Sequence, residues 1–169
     1  MLEDKRIIVT GSARGMGLAT LTAFVQAGAR VVGMDINDAD GEQAARDANA
    51  LGPGKATYLH IDIADKSSVE TAFQEAVNWL GGLDVLAHPA AIQAGSAASD
   101  VSVEHWDQMF AVNVRGTMIT NQAAYHHMKA AGGGSIINFG SISGQRAEPG
   151  AVAYSASKGA VHSWTRSAA

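Results

Sequence analysis

A tyrosine and a lysine four residues apart, Tyr154 and Lys158, form the pair in this sequence best suited to proton transfer. On a helix, residues at this spacing share a face. An ammonium group beside a phenol favours the phenolate, so such a tyrosine can exchange a proton with a carbinol or carbonyl oxygen. Ser141, which follows an apolar run, adds a hydroxyl that could hold the same substrate oxygen. Alone, a Tyr-x-x-x-Lys pair is more often an exposed helix face, so the interpretation depends on its surroundings.

Three glycines stand between an apolar run and a helical pattern near the start of the chain. The sequence from Thr10 to Gly17 is TGSARGMG. A glycine turn at this point lets the backbone approach a pyrophosphate, and the helix N-terminus adds unpaired N–H groups and a positive dipole end. Glycines also serve ordinary turns, but a strand before the loop and a helix after it are the context that a nucleotide site requires. We therefore predict nucleotide binding here.

An acidic residue follows the loop at the distance expected for ribose recognition. Asp35 ends the second apolar run, about 20 residues past the glycines. Its carboxylate could accept both ribose hydroxyls and would repel a 2′-phosphate, which favours NAD over NADP. Arg14 could instead reach a 2′-phosphate, so an NADPH-dependent carbonyl reductase stays an alternative. We weigh Asp35 more heavily because like charges close together in a partly desolvated site are costly. A solvated strand-end carboxylate is the structural alternative for Asp35.

The elements that must position these residues alternate along the chain. Short apolar runs predict strands at 5–10, 30–35, 55–61, 83–87 and 135–139. Helical patterns cover 15–28, 38–51, a segment capped by Asp65 or Ser67 and ending at Leu80, a long segment at 103–131, and a last helix from near Tyr154. This alternation predicts an α/β fold with a doubly wound parallel sheet, in which ligands bind at the carboxyl ends of the strands. We expect a single domain over 1–169.

Composition narrows the possible functions. The 169 residues are 47% hydrophobic and 17% charged, enough apolar material for a core. A net charge of -4 and a pI near 5.8 argue against nucleic acid or an anionic membrane as the main partner. The sequence has no cysteine, which excludes disulfides and thiolate metal sites. No apolar run reaches 18 residues, so we expect a soluble cytoplasmic protein.

Taken together, these motifs resemble the short-chain dehydrogenase/reductase family over essentially the whole chain. The glycine loop matches the cofactor loop of the family, and Asp62 matches the aspartate that meets the adenine amine. Asn113, in the sequence NVRG, matches the asparagine of the long helix. Ser141, Tyr154 and Lys158 match the remaining catalytic residues, with the Ser-to-Tyr interval of the family.

The resemblance implies hydride transfer between NAD(H) and a small secondary alcohol or ketone. It makes Tyr154 the general acid/base, Lys158 its activator and a ligand of the nicotinamide ribose, and Ser141 the residue that orients the substrate. Asn113 would hold a water that links Lys158 to solvent. The structural alternatives are that Asn113 is a polar packing residue and that Ser141 forms a turn. No metal is implied. The implied cofactor contacts are Gly11, Ser12, Arg14, Gly15, Met16, Gly17, Asp35, Ile36, Asp62, Ile63, Ala90, Tyr154 and Lys158.

The sequence departs from the family after the fourth predicted strand, where Asn-Asn-Ala-Gly is usual. Here the segment is His88-Pro89-Ala90-Ala91. Pro89 removes a backbone donor, and Ala91 adds a Cβ where glycine passes close to the cofactor. His88 could replace the hydrogen bonds of the asparagine, with a looser fit around the adenine ribose. A role for His88 as an extra acid or base is the less favoured reading.

The chain also ends within the Tyr-Lys helix, whereas family members continue with two more strands and a substrate pocket. We therefore expect a domain that is incomplete at its C-terminus, with the fifth strand as an exposed edge. A non-catalytic nucleotide-binding fragment or interaction module stays the alternative function. The resemblance implies a homodimer or homotetramer built on the long helix and the Tyr-Lys helix. His126 and His127 are expected at the surface or at an interface.

Overall fold

The computed structural model describes residues 2–146 and 148–169. Its strands are β1 (Arg6–Thr10), β2 (Arg30–Asp35), β3 (Lys55–His60), β4 (Val85–His88) and β5 (Ser135–Asn138). They form one parallel sheet in the order β3-β2-β1-β4-β5. The predicted doubly wound α/β fold is thus confirmed, and β5 forms one edge of the described sheet.

The helices agree with the predicted segments to within a few residues. They are α1 (Gly15–Gln26), α2 (Asp38–Asn49), α3 (Lys66–Leu80), α4 (Val103–Phe110), α5 (Thr117–Ala130) and α6 (Val152–Ala168). Three of them begin at a side chain that accepts backbone N–H bonds: Asn37 for α2, Asp65 for α3 and Ser102 for α4. These are residue types that favour the N-cap position.

The long predicted helix differs from expectation in one respect. Between α4 and α5 the backbone widens into a π-helical stretch over Ala111–Gly116. The hydroxyl of Thr117 donates to the carbonyl oxygen of Asn113 within this turn at 2.7 Å. At Gly116, a Cβ would lie 3.0 Å from the carbonyl oxygen of Ile63, so glycine allows a close approach to the loop after β3. Widened turns of this kind often occur at functional sites.

The core has two layers, one on each face of the sheet. Ile7 and Val9 of β1 pack with the helices α1 and α2, whereas Ile8, between them, packs with α3 and α5. This follows from strand geometry, because successive side chains point to opposite faces. Because helices cover both faces at the centre of the sheet, β1 and β4 consist mainly of consecutive apolar residues.

Candidate active site

The glycine loop joins β1 to α1 in a conformation that requires glycine. Gly11 and Gly15 have φ angles of 62° and 57°, in the left-handed region. A Cβ on Gly11 would lie 2.8 Å from the Cα of Ala90, and one on Gly17 would lie 1.9 Å from the carbonyl oxygen of Gly11. No side chain caps α1, in contrast to α2, α3 and α4. The first-turn N–H groups of α1 are therefore free of a capping side chain, as a phosphate site requires.

Asp35 ends β2 and braces the glycine loop. One carboxylate oxygen accepts the backbone N–H of Ala13 and the other accepts that of Asn37, both at 3.0 Å. The side chain is half-buried and is not a free surface carboxylate. Because each carboxylate oxygen has two acceptor positions, both keep capacity for the hydroxyl groups of a ribose.

A cavity of about 390 Å³ opens beside this loop, at the carboxyl ends of the strands. Six of the predicted cofactor contacts line it: Gly11, Asp35, Ile36, Asp62, Ile63 and Ala90. These residues lie at the carboxyl ends of four different strands, and the tertiary fold brings them together. The residues and the space fit the adenosine part of a dinucleotide, in the location expected for an open α/β sheet.

Other predicted cofactor contacts lie outside the walls of this cavity. Ser12 is buried, and its backbone N–H donates to the carbonyl oxygen of Met34 at 3.1 Å. Arg14 turns to Asp40, with a nitrogen–oxygen distance of 2.9 Å. Met16 is exposed on the first turn of α1. Gly15 has open space where a side chain would stand, so its backbone is accessible to a ligand.

Tyr154 and Lys158 lie on one face of α6, as their spacing predicts. The Lys158 Nζ is 5.9 Å from the centre of the Tyr154 ring. It donates to the carbonyl oxygen of Phe139 at 2.7 Å, and the side chain is buried. Burial lowers the pKa of Lys158, because desolvation disfavours its charged form.

Asn113 joins the cavity to the Tyr-Lys helix. Its side-chain oxygen accepts the backbone N–H of Ile92 at 2.8 Å, and its amide nitrogen donates to the carbonyl oxygen of Ile92 at 2.9 Å. The same nitrogen lies 3.0 Å from the hydroxyl of Ser157, one residue before Lys158. Ile92 lines the cavity. The buried amide therefore ties the wall of the cavity to the helix turn that carries Tyr154 and Lys158.

Two residues separate Ser141 from β5, and its backbone N–H bonds to a side chain of α6. Its hydroxyl is 3.2 Å from that of Ser143, which in turn bonds to Glu148. Its backbone N–H donates to the Nε2 of His162 at 3.1 Å. The structure thus brings the loop of Ser141 onto the same helix as Tyr154.

His88, which stands where the family usually has an asparagine, is buried at the end of β4 and hydrogen-bonds to two threonines. Its Nδ1 lies 2.8 Å from the hydroxyl of Thr10 and 3.4 Å from that of Thr120. Burial, with a contribution from the charge of Lys158, lowers the pKa of His88 to about 3. Within the described residues, its buried Nε2 has no hydrogen-bond partner. A ring held neutral in this way links β4 to β1 and α5.

Three contacts at this site were not predicted from the sequence. They involve Ile92, Ser157 and His162. Ser157 lies inside the Tyr-x-x-x-Lys interval, so its position could have been noticed. Ile92 bonds to Asn113 only through its backbone, so its aliphatic side chain gives no sign of this contact. The contact of His162 could have been suspected from its helical spacing to Lys158.

Two further observations concern the residues at 2–146 and 148–169. They contain no cluster of three His, Cys, Asp or Glu side chains that could hold a metal ion. None of their helices is both long and apolar enough to cross a bilayer.

The sheet order, the glycine loop and the helix carrying Tyr154 and Lys158 place the chain among α/β proteins of the Rossmann type. The family model described as short chain dehydrogenase matches residues 5–169. The chain therefore belongs to the short-chain dehydrogenase family of oxidoreductases.

Several known proteins are similar to the chain over nearly all of its length. It is 38% identical over 168 residues to a cyclopentanol dehydrogenase from Comamonas testosteroni, covering 99% of this chain and 67% of that protein. It is 39% identical over 168 residues to a sorbitol dehydrogenase from Cereibacter sphaeroides, covering 99% of this chain and 64% of that protein. A solved short chain dehydrogenase from Mycobacterium smegmatis superposes with a TM-score of 0.96 at 28% identity, covering 99% of this chain and 71% of the solved one. The chain thus spans about two thirds of the length of these relatives.

Proposed function

We propose that this chain binds NAD(H) and interconverts a small secondary alcohol and the corresponding ketone. The observation that carries the proposal is the buried side chain of Asn113. It bonds both to Ile92 in the cavity wall and to Ser157 on α6, so it connects the predicted nucleotide cavity with the Tyr154–Lys158 pair. A connected arrangement of this kind is expected when a cofactor and a proton-transfer group act on the same substrate.

The roles of the side chains follow from their chemistry. When bound, the nicotinamide supplies the hydride acceptor or donor. Tyr154 exchanges the proton at the substrate oxygen, and the hydroxyl of Ser141 holds that oxygen. Lys158, buried beside the Tyr154 ring, favours the phenolate when its amine is protonated. Asn113 holds the backbone of Ile92 in place. We also propose that Asn113 orders a water molecule that connects Lys158 with solvent.

Cofactor choice depends on two acidic residues in this proposal. Asp35 lines the cavity, and its negative charge there would disfavour a 2′-phosphate. Asp40 pairs with Arg14, and Asn37 also donates to the same Asp40 oxygen at 2.9 Å. Because Arg14 is the cation that could favour NADP, its pairing with Asp40 supports NAD as the cofactor.

The Asp35→Ala variant tests this choice. We expect NAD to bind about tenfold more weakly, from the loss of charge-assisted hydrogen bonds, and NADP to bind more tightly than before. Fluorescence titration with NADH and NADPH measures both affinities. Asp35→Asn serves as the control, since it keeps an acceptor for the loop but removes the charge. If NADPH affinity does not improve in either variant, the charge argument is wrong.

The catalytic proposal is tested by Tyr154→Phe. Oxidation of cyclopentanol, sorbitol and related secondary alcohols is followed by NADH formation, and binding of NADH is measured in parallel. We expect turnover to fall by about a hundredfold or more when the proton-transfer group is lost, while the dissociation constant for NADH stays within about twofold because the ring remains. Turnover retained by the variant would remove Tyr154 from its role.

The alternative, a nucleotide-binding module without catalysis, predicts a different result. NADH would bind, but the unmodified chain would oxidise none of these alcohols. An intact-mass measurement on the same preparation checks that the protein assayed is the 17.4 kDa chain.

We also propose that two copies associate through the face formed by α4, α5 and α6. An open groove of about 710 Å³ lies there, next to the nucleotide cavity, with which it shares Gln108 and Ala111. Its apolar lining includes Phe110, Val114, Met118, Val161 and Trp164. Apolar surface of this kind favours association with a complementary partner.

A further inference from the structure

Two side chains of α6 hold the segment that follows β5. Lys158 donates to the carbonyl oxygen of Phe139, and His162 accepts the backbone N–H of Ser141. These two backbone groups lie on either side of Gly140. We propose that His162 is a positioning residue, which holds the backbone of Ser141 against the helix that carries Tyr154. The inference rests on the proposed function, in which Ser141 holds the substrate oxygen.

The spacing of the residues on α6 supports this role. His162 lies four residues after Lys158 and eight after Tyr154. Residues at this spacing lie one above the other on the same helix face. The face that carries the predicted proton-transfer pair therefore also carries the imidazole that bonds to Ser141.

Gly140 makes room for the imidazole. A Cβ at this position would lie only 2.1 Å from the Nε2 of His162. Because glycine has no side chain, the ring can lie directly against the peptide and reach the next N–H group. The contact is thus built by two residues, a glycine in the loop and a histidine on the helix.

The hydrogen bonds define which form of the imidazole can take part. Neutral histidine has one N–H donor and one nitrogen acceptor, and the N–H of Ser141 needs the acceptor at Nε2. The proton must then be on Nδ1, which lies 3.2 Å from the side-chain amide of Gln145. The nearest amide atom is the Nε2 of Gln145, so accepting a hydrogen bond from Nδ1–H requires a 180° rotation of this amide, which exchanges its nitrogen and its oxygen. An imidazolium has two donors and no acceptor, so only neutral His162 can hold Ser141.

The remaining contacts of Ser141 cannot replace this one. Its hydroxyl bonds to Ser143, whose own hydroxyl bonds to Glu148. These residues belong to the same loop, so they orient the side chain of Ser141 within the loop. They do not tie the backbone N–H of Ser141 to α6, whereas the bond to His162 does; the bond from Lys158 to Phe139 and the packing of Gly144 on Gly159 hold the residues on either side.

Three variants test the positioning role by kinetics. His162→Leu fills a similar volume but offers no acceptor, His162→Gln offers an amide oxygen, and His126→Leu, at an exposed position on α5, is the matched control. We expect kcat to fall about ten- to hundredfold in His162→Leu, since small displacements of a positioning group have effects of this size. His162→Gln should recover most of the loss, and the affinity for NADH should stay within about twofold in all three variants. Turnover of His162→Leu within twofold of the unmodified chain, or no recovery in a folded His162→Gln, would overturn the inference.

A measurement without substrate keeps this inference separate from the proposed function. In uniformly 15N-labelled protein, an N–H···N bond gives a scalar coupling between the amide nitrogen of Ser141 and the Nε2 of His162. We expect this coupling when the ring is neutral, together with a shift of the Ser141 amide resonance in His162→Leu. If no alcohol is turned over by the unmodified chain, the proposed function fails, but the coupling still supports the contact. Absence of the coupling with a neutral ring, or an unchanged Ser141 resonance in the variant, contradicts the inference.

Discussion

At the residue scale, His88 shows how burial changes the chemistry of a side chain. The ring is almost fully buried between β1 and α5, where it contacts Thr10 and Thr120. A charged imidazole would lose its hydration there and would also face the charge of Lys158. His88 therefore acts as a neutral polar link between elements, which disfavours the reading of it as an additional acid or base.

This environment predicts a pH-dependent stability. The folded-state pKa of His88 is about 3, whereas an unfolded histidine titrates near 6.5. Between these values the unfolded chain binds a proton that the folded chain does not, so stability must fall as the pH drops below about 6.5. We expect Tm to fall less steeply with acid in His88→Asn, measured by thermal unfolding between about pH 7 and pH 4.5. His126→Asn, at an exposed position, should keep the original slope, and equal slopes in all three proteins would contradict the prediction.

The sequence anticipates site residues when their chemistry depends on their own side chains. The glycine loop, Asp35 and the Tyr154–Lys158 pair could be found because residue type and spacing both carry information. Two other contacts could not be found in this way: the pairing of Arg14 with Asp40 and the bond from Ser141 to His162. Each joins elements whose relative placement is defined only by the tertiary fold.

At the element scale, the amino ends of β1 and β4 are joined by a multiple contact. Two guanidinium nitrogens of Arg6 bond to the carboxylate of Asp84 at 3.0 and 2.6 Å, and the backbone N–H of Arg6 bonds to it at 2.9 Å. The Arg6 hydrogen bond holds the pKa of Asp84 below its usual range. Its contribution to stability is therefore present above about pH 4 and is lost as the pH falls below that value.

We expect Asp84→Asn to lower the free energy of unfolding by about 1–2 kcal/mol, since hydrogen bonds to charged groups are the stronger ones. For a chain of this size, that corresponds to a Tm lower by about 2–8 °C. Glu70→Gln is the matched control, because it removes an exposed i,i+4 pair with Lys66. Such surface pairs contribute little, so its Tm should barely change. Denaturation by heat and by urea compares the two variants, and equal losses would show that the β1–β4 contact has no special role.

Prediction at this scale is good for element type and weaker for local geometry. The alternation of apolar runs and helical patterns is enough for the order of elements. The sequence leaves two candidate caps for α3, Asp65 and Ser67, and the structure shows that Asp65 is the cap. The π-helical stretch around Asn113 was not predicted, because hydrophobic periodicity does not separate a widened turn from a regular one. The stretch carries Asn113, whose side chain bonds to the distant Ile92, a contact that only the tertiary fold defines.

At the scale of the whole molecule, the groove between α4, α5 and α6 predicts the state of association. We expect the chain to form dimers or tetramers, seen as a mass about two or four times that of the chain by light scattering. Val114→Glu places a charge among the apolar residues of the groove, and burying an unpaired charge is costly. The variant should therefore shift to the monomer, whereas Leu51→Glu, at an exposed position that follows α2, should not. A monomeric unmodified chain would contradict the proposed interface.

The position of β1 at the centre of the sheet also determines when the ligand cavity can exist during folding. β1 joins β2 after a short connection, but its pairing with β4 closes a loop of 78 residues. Long loops cost more entropy to close and slow the search for native contacts. Gly11 and Ala90, which pack directly against each other in the cavity wall, belong to the two chain segments that this junction brings together. A partly folded chain could therefore carry a formed glycine loop without the adjoining segment that follows β4, and a nucleotide that needs both would bind only chains whose folding had reached completion.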